Sequence, residues 1–332
     1  MHKFGKVVLS RKGFDSSAGG GYSPFDPQTG SYIVLPIPVG KKEQDICNPL
    51  KYKDIKLKGD YLHSYKATDL KSLMEEMGEE ATIKTKGGKE KSEYAHFDPW
   101  LSRCPWLAEG SNHHIGAFGQ VGIPQAQLHN QGVGEGSLFL FFSRFKPIKP
   151  IGQNRENRIV PSIGSKHLNE GLYFIYGWLK VKEVIREHVD ECLWSQHPHN
   201  TKEYFDYYAN RENAKSENGK NTIYIADKLM FNDGSNFPGC GYFRELNKDL
   251  CLSASDPAQA QVPGNWKPSR WSLPGFFKEK CLSVLKNKGQ ICHGSWLVPT
   301  NWQWQEAVFD FGESEKFYPW FRSLLKQVVS DL

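Results

Sequence analysis

The apolar residues of this chain come in strand-sized packets, and no unbroken apolar run exceeds the five residues Leu138–Phe142. A membrane-spanning helix needs roughly 18 or more apolar residues in succession, so a membrane span is not expected. The packets are also rich in the β-branched and aromatic residues that suit a pleated, half-buried surface. Aromatics make up 13% of the chain, which favours strands and stacking surfaces over a helical bundle.

Expected strands are Lys6–Leu9 (KVVL), Ser31–Val39 (SYIVLPIPV, its prolines placing it at a sheet edge), Ser137–Arg144 and Leu172–Ile185. Asn221–Ala226 and Leu250–Ser253 are shorter candidates. Along the far half of Leu172–Ile185, Leu179, Val181 and Val184 alternate with charged residues, the period of a strand with one wet face. Helices are predicted over Ala67–Met77, Phe276–Leu285 and Glu315–Val329. His96–Gly136 has little apolar periodicity and is expected to be a long ordered loop. Residues 41–95 are Lys- and Glu-rich and read as a surface insertion in a single domain spanning 1–332. A regular alternation of strand and helix is missing, which speaks against a doubly wound fold. The expected class is α+β: a strongly bent mixed sheet or small barrel, with long loops and C-terminal helices.

Charge and cysteines narrow the function classes. The net charge of +5 permits a polyanionic partner without demanding one. Seven scattered cysteines with no CxxC pair predict neither a disulfide framework nor a zinc ribbon. They fit reduced thiols in a cytoplasmic protein. The N-terminal MHKFGKVVLSRKG becomes charged too early for a signal peptide.

Four segments could carry chemistry. Ser10–Gly21 combines Arg11 and Lys12 with Asp15, Ser16 and glycines that let backbone N–H groups approach an anion. It is either a phosphate or sugar clamp or a Gly-rich turn with solvated charges, and it lacks the end of a Walker A loop. Gly116–Gly136 concentrates Gln120, Gln125, Gln127, His129, Asn130 and Gln131. Their amides pair a donor with an acceptor, as a base edge does, so either a ligand or the protein itself satisfies them. The histidines and acids lie in HFDPW (His96, Asp98) and HPH (His197, His199), and Pro198 is expected to hold HPH extended, with both imidazoles on one side of a strand. Without helical or CxxC-like spacing they are expected to be structural or acid–base groups, and no metal site is expected. Gly294–Phe311 holds Trp296, Trp302 and Trp304, which are core residues or base-stacking platforms, and Glu306 opens a strand-like run there.

Several strings stand in a fixed order: KVVLSRKGFDSS, LPIP (Leu35–Pro38), HFDP (His96–Pro99), FGQ (Phe118–Gln120), HNQGVGEGSLFLFF (His129–Phe142) and YGWLKV (Tyr176–Val181). HPHNT, NTIYIA, FPGCGYF, WSLPGFF and WQEAVFDF follow. Over essentially the whole chain this set resembles the nucleotide-modification-associated domain family, type 3. Where that family's pattern has Gly-Gln-Glu before the last strand, this chain has Trp304-Gln305-Glu306. A second resemblance, in GVGEGSLFLFF followed by YGWLKVKEVI, is to PUA-like domains such as EVE and ASCH, which bend a sheet into a small barrel and hold an extruded or modified base.

The resemblance implies recognition or processing of modified bases in DNA, in a base-modification or anti-phage defence setting, with modified phage DNA as one partner. A base-flipping N-glycosidic enzyme is one form of this. An enzyme on free nucleotides or nucleotide sugars and a non-catalytic interaction module are the alternatives. The candidate catalytic residues are Asp15, Asp98, Glu306 and His199. The candidate binding residues are Arg11, Lys12, Ser16, Gln120, Gln127, His129, Asn130, Gln131 and His197. Arg11, Asp15, Gln120, His129, Asn130 and Gln131 are expected to converge on one pocket, and no cofactor is expected.

Overall fold

The computed structural model of the chain describes residues 4–329 apart from 15–18, 60, 63–64, 110–114, 150–157, 161–164, 211, 213–217, 254–269 and 300–305. Asp15, Ser16, Trp302, Trp304 and Gln305 therefore lie outside the described residues. In chain order, β1 (Val7–Arg11) and β2 (Ser23–Phe25) come first. Residues 41–95 add α1 (Lys41–Gln44), β3 (Leu50–Lys51), α2 (Leu70–Met77), β4 (Thr82–Thr85), β5 (Gly88–Lys91) and β6 (Tyr94–Ala95). Then come β7 (Ala117–Gln120), α3 (Gly122–Asn130), β8 (Leu138–Pro147), α4 (Ser165–Glu170), β9 (Leu172–Ile185) and α5 (Lys202–Ala209). They are followed by β10 (Thr222–Ala226) and β11 (Cys240–Tyr242). The last part holds β12 (Arg270–Pro274), α6 (Phe276–Lys280), β13 (Gln290–Cys292), β14 (Ser295–Pro299), β15 (Glu306–Phe309) and α7 (Phe317–Val329).

Eight strands form the main sheet, in the order β15–β1–β8–β9–β10–β7, with β2 beside β8 and β11 beside β9. It is mixed: β1 and β2 run parallel to β8, and the other neighbours are antiparallel. Every residue from Leu138 to Ser143 is buried, as the apolar run LFLFF requires of a strand covered on both faces. Register shifts at Phe141/Phe142 and at Ile225/Ala226 bend the sheet. The bend wraps an aromatic core in which Phe118 of β7 meets Phe139 and Phe141 of β8, with ring centroids 4.9 and 5.1 Å away. Each of these fully buried rings contributes roughly 1.5–3 kcal/mol of transfer free energy. The sheet stays open, because β15 and β7 end the strand order without pairing to each other among the described residues. The bent-sheet expectation holds and the closed small barrel does not.

Three local expectations are corrected. Ser31–Val39 is not a strand and makes only isolated bridges at Tyr32 and Pro38. Pro36 and Pro38 remove two ladder donors from it. The expected loop His96–Gly136 contains β7 and α3. Helix α3 buries only Gln125, Ala126 and Leu128, so its apolar stripe is too thin to show as a period. His197-Pro198-His199 is a pair of turns rather than a strand, closed by bonds from His197 N–H to the Trp194 carbonyl and from Asn200 N–H to the His197 carbonyl.

Residues 41–95 do more than cover the surface. The exposed hairpin β4–β5 matches the solvated run TIKTKGGKEK. Yet Tyr52, Leu70, Leu73, Met74 and Ala81 are buried in the main core. Helix α2 is capped by Asp69, whose carboxylate accepts from Ser72 N–H at 2.9 Å. At the other end of the chain, α7 packs Phe317 and Phe321 against Phe4. Trp296 is fully buried and its indole N–H donates to the Lys288 carbonyl, so it is a core residue and no stacking platform.

Candidate functional site

A cleft of about 170 Å³ opens where the end of β1 meets the outer edge of β7. Its walls carry Arg11 and Lys12 from β1 and the residue after it, Gln120 from β7, His96 and Asp98 from the segment before β7, and His199 and Tyr204 from the entry to α5. Glu43 of α1 closes one side, and its carboxylate accepts from the Tyr208 hydroxyl at 3.2 Å.

The imidazole side is ordered by a chain of hydrogen bonds. Asn221, at the entry to β10, donates its side-chain N–H to the His199 carbonyl at 2.8 Å. Its oxygen is then the atom that faces His199 Nδ1, at 2.7 Å, and Nδ1 carries the proton it donates there. That leaves Nε2 of His199 with a lone pair. His199 N–H donates to Nδ1 of His197 at 3.2 Å, which puts the His197 proton on Nε2. His197 Nε2–H in turn donates to Asp98 Oδ1 at 3.0 Å, and Gly119 N–H donates to the same oxygen, also at 3.0 Å. Among the described residues Asp98 Oδ2 accepts no hydrogen bond, and it lies 4.0 Å from His199 Nε2. The ring of His96 stands edge-on to that of His199, with centroids 4.9 Å apart.

This packing needs glycine at position 119. A Cβ there would sit 2.2 Å from the His199 ring, so the imidazole rests directly on the β7 backbone.

The electrostatics divide the cleft into two poles. Burial opposes ionisation of Asp98, but the His197 hydrogen bond and the surrounding imidazoles outweigh it and hold the carboxyl down, at about 2. Burial, reinforced by His96, keeps His199 well below the ordinary imidazole value. Burial likewise lowers His96. Near neutral pH this pole therefore offers an anionic oxygen and unprotonated imidazoles. Arg11 and Lys12 form the cationic pole.

Glu306 lies behind the wall. Its Oε1 accepts from Gln120 Nε2 at 2.7 Å, from Ser10 Oγ at 3.1 Å and from Lys12 Nζ at 3.4 Å. Its Oε2 is buried without a partner among the described residues. Burial pushes its carboxyl up, against the pull of Lys12 and its two other donors. Glu306 thus holds Lys12 and Gln120 in place and does not itself line the cleft.

Among the sequence candidates, Arg11, Lys12, Asp98, Gln120 and His199 come together in the cleft, with His197 one hydrogen bond behind Asp98. Gln127 donates to the Glu306 carbonyl at 3.3 Å, on the far side of that residue. His129, Asn130 and Gln131 sit at the C-terminal end of α3, where Asn130 is exposed and accepts from Asn218. They do not line the cleft. Glu43, Gly119, Tyr204 and Asn221 were not singled out beforehand. Gly119 and Asn221 carried a signal, as members of the FGQ and NTIYIA strings.

The family model for nucleotide modification associated domain 3 matches residues 6–310, which include every described residue of the cleft. No curated protein matches the chain, and no solved structure does. With a match over nearly its whole length, the chain belongs to the nucleotide modification associated domain 3 family.

Proposed function

We propose that the cleft binds a nucleotide unit, either free or flipped out of a DNA strand, and acts on its base or sugar. The observation that supports this most is the separation of the two poles. A ligand matching Arg11 and Lys12 is anionic at one end, and a ligand matching Asp98 and His199 offers a proton or an electron-poor atom at the other. A phosphorylated nucleoside has both ends. Gln120 stands on the same wall; its amide nitrogen is held by Glu306 and its oxygen accepts Val121 N–H at 3.2 Å, which leaves its second N–H and second lone pair for a base edge. The space, about 170 Å³, is smaller than the roughly 300–1,000 Å³ of pockets for drug-sized ligands, which suits one base or one sugar.

The family membership supports a role linked to nucleotide modification. Action on modified bases in DNA, including modified phage DNA, is the form we favour, because a flipped base presents one nucleotide to a cleft of this size. The test is direct. Purified protein is incubated with oligonucleotides carrying modified or unmodified bases and, separately, with nucleoside monophosphates and nucleotide sugars. Retention, abasic sites and released base are scored. Retention or turnover of any of these, lost in Asp98→Asn and Lys12→Ala variants that remain folded, supports the proposal. No interaction with any of them overturns it.

A further inference from the structure

The lone pairs at the anionic pole face one another across a gap with no proton to share. Asp98 Oδ2 and His199 Nε2 are 4.0 Å apart, too far for a hydrogen bond. The hydrogen bonds already described assign both protons of the neighbouring imidazoles elsewhere. His96 makes no side-chain hydrogen bond to a described residue, and its donor nitrogen completes a group of three ligand atoms within 4.8 Å of one another. Two imidazole nitrogens and one carboxylate oxygen, with space on one side, are a donor set for a divalent transition-metal ion.

We infer that His96, Asp98 and His199 form a binding site for one borderline divalent ion of the zinc or ferrous class, open toward Arg11 and Lys12. The surroundings fit that use. Metal-bound histidines usually donate their second ring N–H to a carbonyl, carboxylate or amide oxygen, which fixes the tautomer and the ring. Asn221 does this for His199. Gly119 N–H and His197 occupy the other oxygen of Asp98 and so aim Oδ2 into the cleft. Donors about 2.0–2.2 Å from a tetrahedral ion lie roughly 3.3–3.6 Å apart. The three donors must therefore draw together by about an ångström, and His96, with no side-chain hydrogen bond to a described residue, is the one able to move.

This site is missed by sequence spacing because its ligands come from HFDP and HPH, with Asp98 and His199 brought together from 101 positions apart. The inference stands apart from the nucleotide reading, since the ion alone is the probe.

The test uses the full chain, stripped with chelator and titrated with zinc and, separately, cobalt by calorimetry and absorbance, without nucleotide. One ion per chain is expected, with a cobalt spectrum of mixed nitrogen and oxygen ligands. His96→Gln, which removes a donor but no hydrogen bond, should weaken binding at least tenfold. Asn221→Leu, which touches no ion, should weaken it about 10- to 100-fold. His188→Ala, at the exposed pair with Asp190, should change nothing. Thermal melts of the stripped variants establish that each is folded. Absence of stoichiometric binding by the wild-type chain, or binding by His96→Gln equal to wild type, overturns the inference. Ion binding without nucleotide binding would defeat the proposed function alone, and the reverse would defeat this one alone.

Discussion

Gln120 and Glu306 meet at 2.7 Å although they belong to the two strands farthest apart in the sheet, β7 and β15. Side chains thus join what the backbone ladder leaves open, and they do so directly behind the cleft.

That contact should carry measurable stability. Gln120→Ala removes one donor from a fully buried carboxyl group. It is expected to cost about 0.5–1.5 kcal/mol, the usual net worth of one hydrogen bond, because Ser10 and Lys12 still donate to the same oxygen. Urea denaturation with an unchanged slope would show it as a lower midpoint. A midpoint equal to wild type would mean the contact is dispensable.

Glu306 also predicts a pH dependence. Its folded pKa is raised from the ordinary 4.5, chiefly by burial, so the fold favours the neutral acid. That contribution is fully present below pH 4.5 and is lost as the pH rises through the raised value. Glu306→Gln stays neutral throughout. The melting temperature of the variant minus that of wild type should therefore become more positive between about pH 4 and pH 8. Melting curves across this range decide it, and a flat or falling difference would contradict the burial argument.

Gly119→Ala tests the seat of His199. A methyl group 2.2 Å from the imidazole must displace it. Overpacking of this kind costs about 1–3 kcal/mol. Ligand or ion binding at the cleft should fall further than stability does, because Asn221 and Asp98 would no longer find the ring in register. Equal binding by the folded variant would show that His199 position is unimportant.

Ligand recognition should separate cleft residues from the end of α3. Lys12→Ala is expected to weaken binding of a phosphorylated ligand about tenfold or more and to flatten its salt dependence. Asn130→Ala and Gln131→Ala should leave affinity unchanged, since both residues lie away from the cleft. Titrations at two salt concentrations compare all three. Loss of binding in Asn130→Ala would relocate the site to that helix end.

The core strands were legible because their signals are local. Leu172–Ile185 has the expected bounds, and the amphipathic run Glu315–Val329 became α7 at Phe317–Val329. Half of the site was legible as residue types: Arg11, Lys12, Asp98, Gln120 and His199 were named from their chemistry alone. Their true neighbours were not. Asp98 reaches His197 and His199 only because β7 ends the sheet beside the Asn221 strand, a relation set by the order of strand pairing. His129, Asn130 and Gln131 were grouped with Gln120 by proximity in sequence. The turn of α3 carries them out of reach of it.

The open seam of the sheet turns the cleft into a thermometer for its own occupancy. A molecule bridging Lys12 and His199 ties β1 to the edge of β7, so it is lost whenever those two ends part. Occupancy then adds to the free energy of unfolding by mass action, about 2.7 kcal/mol at a hundredfold excess over Kd. A melting screen of phosphorylated compounds would rank candidates by that added resistance to heat.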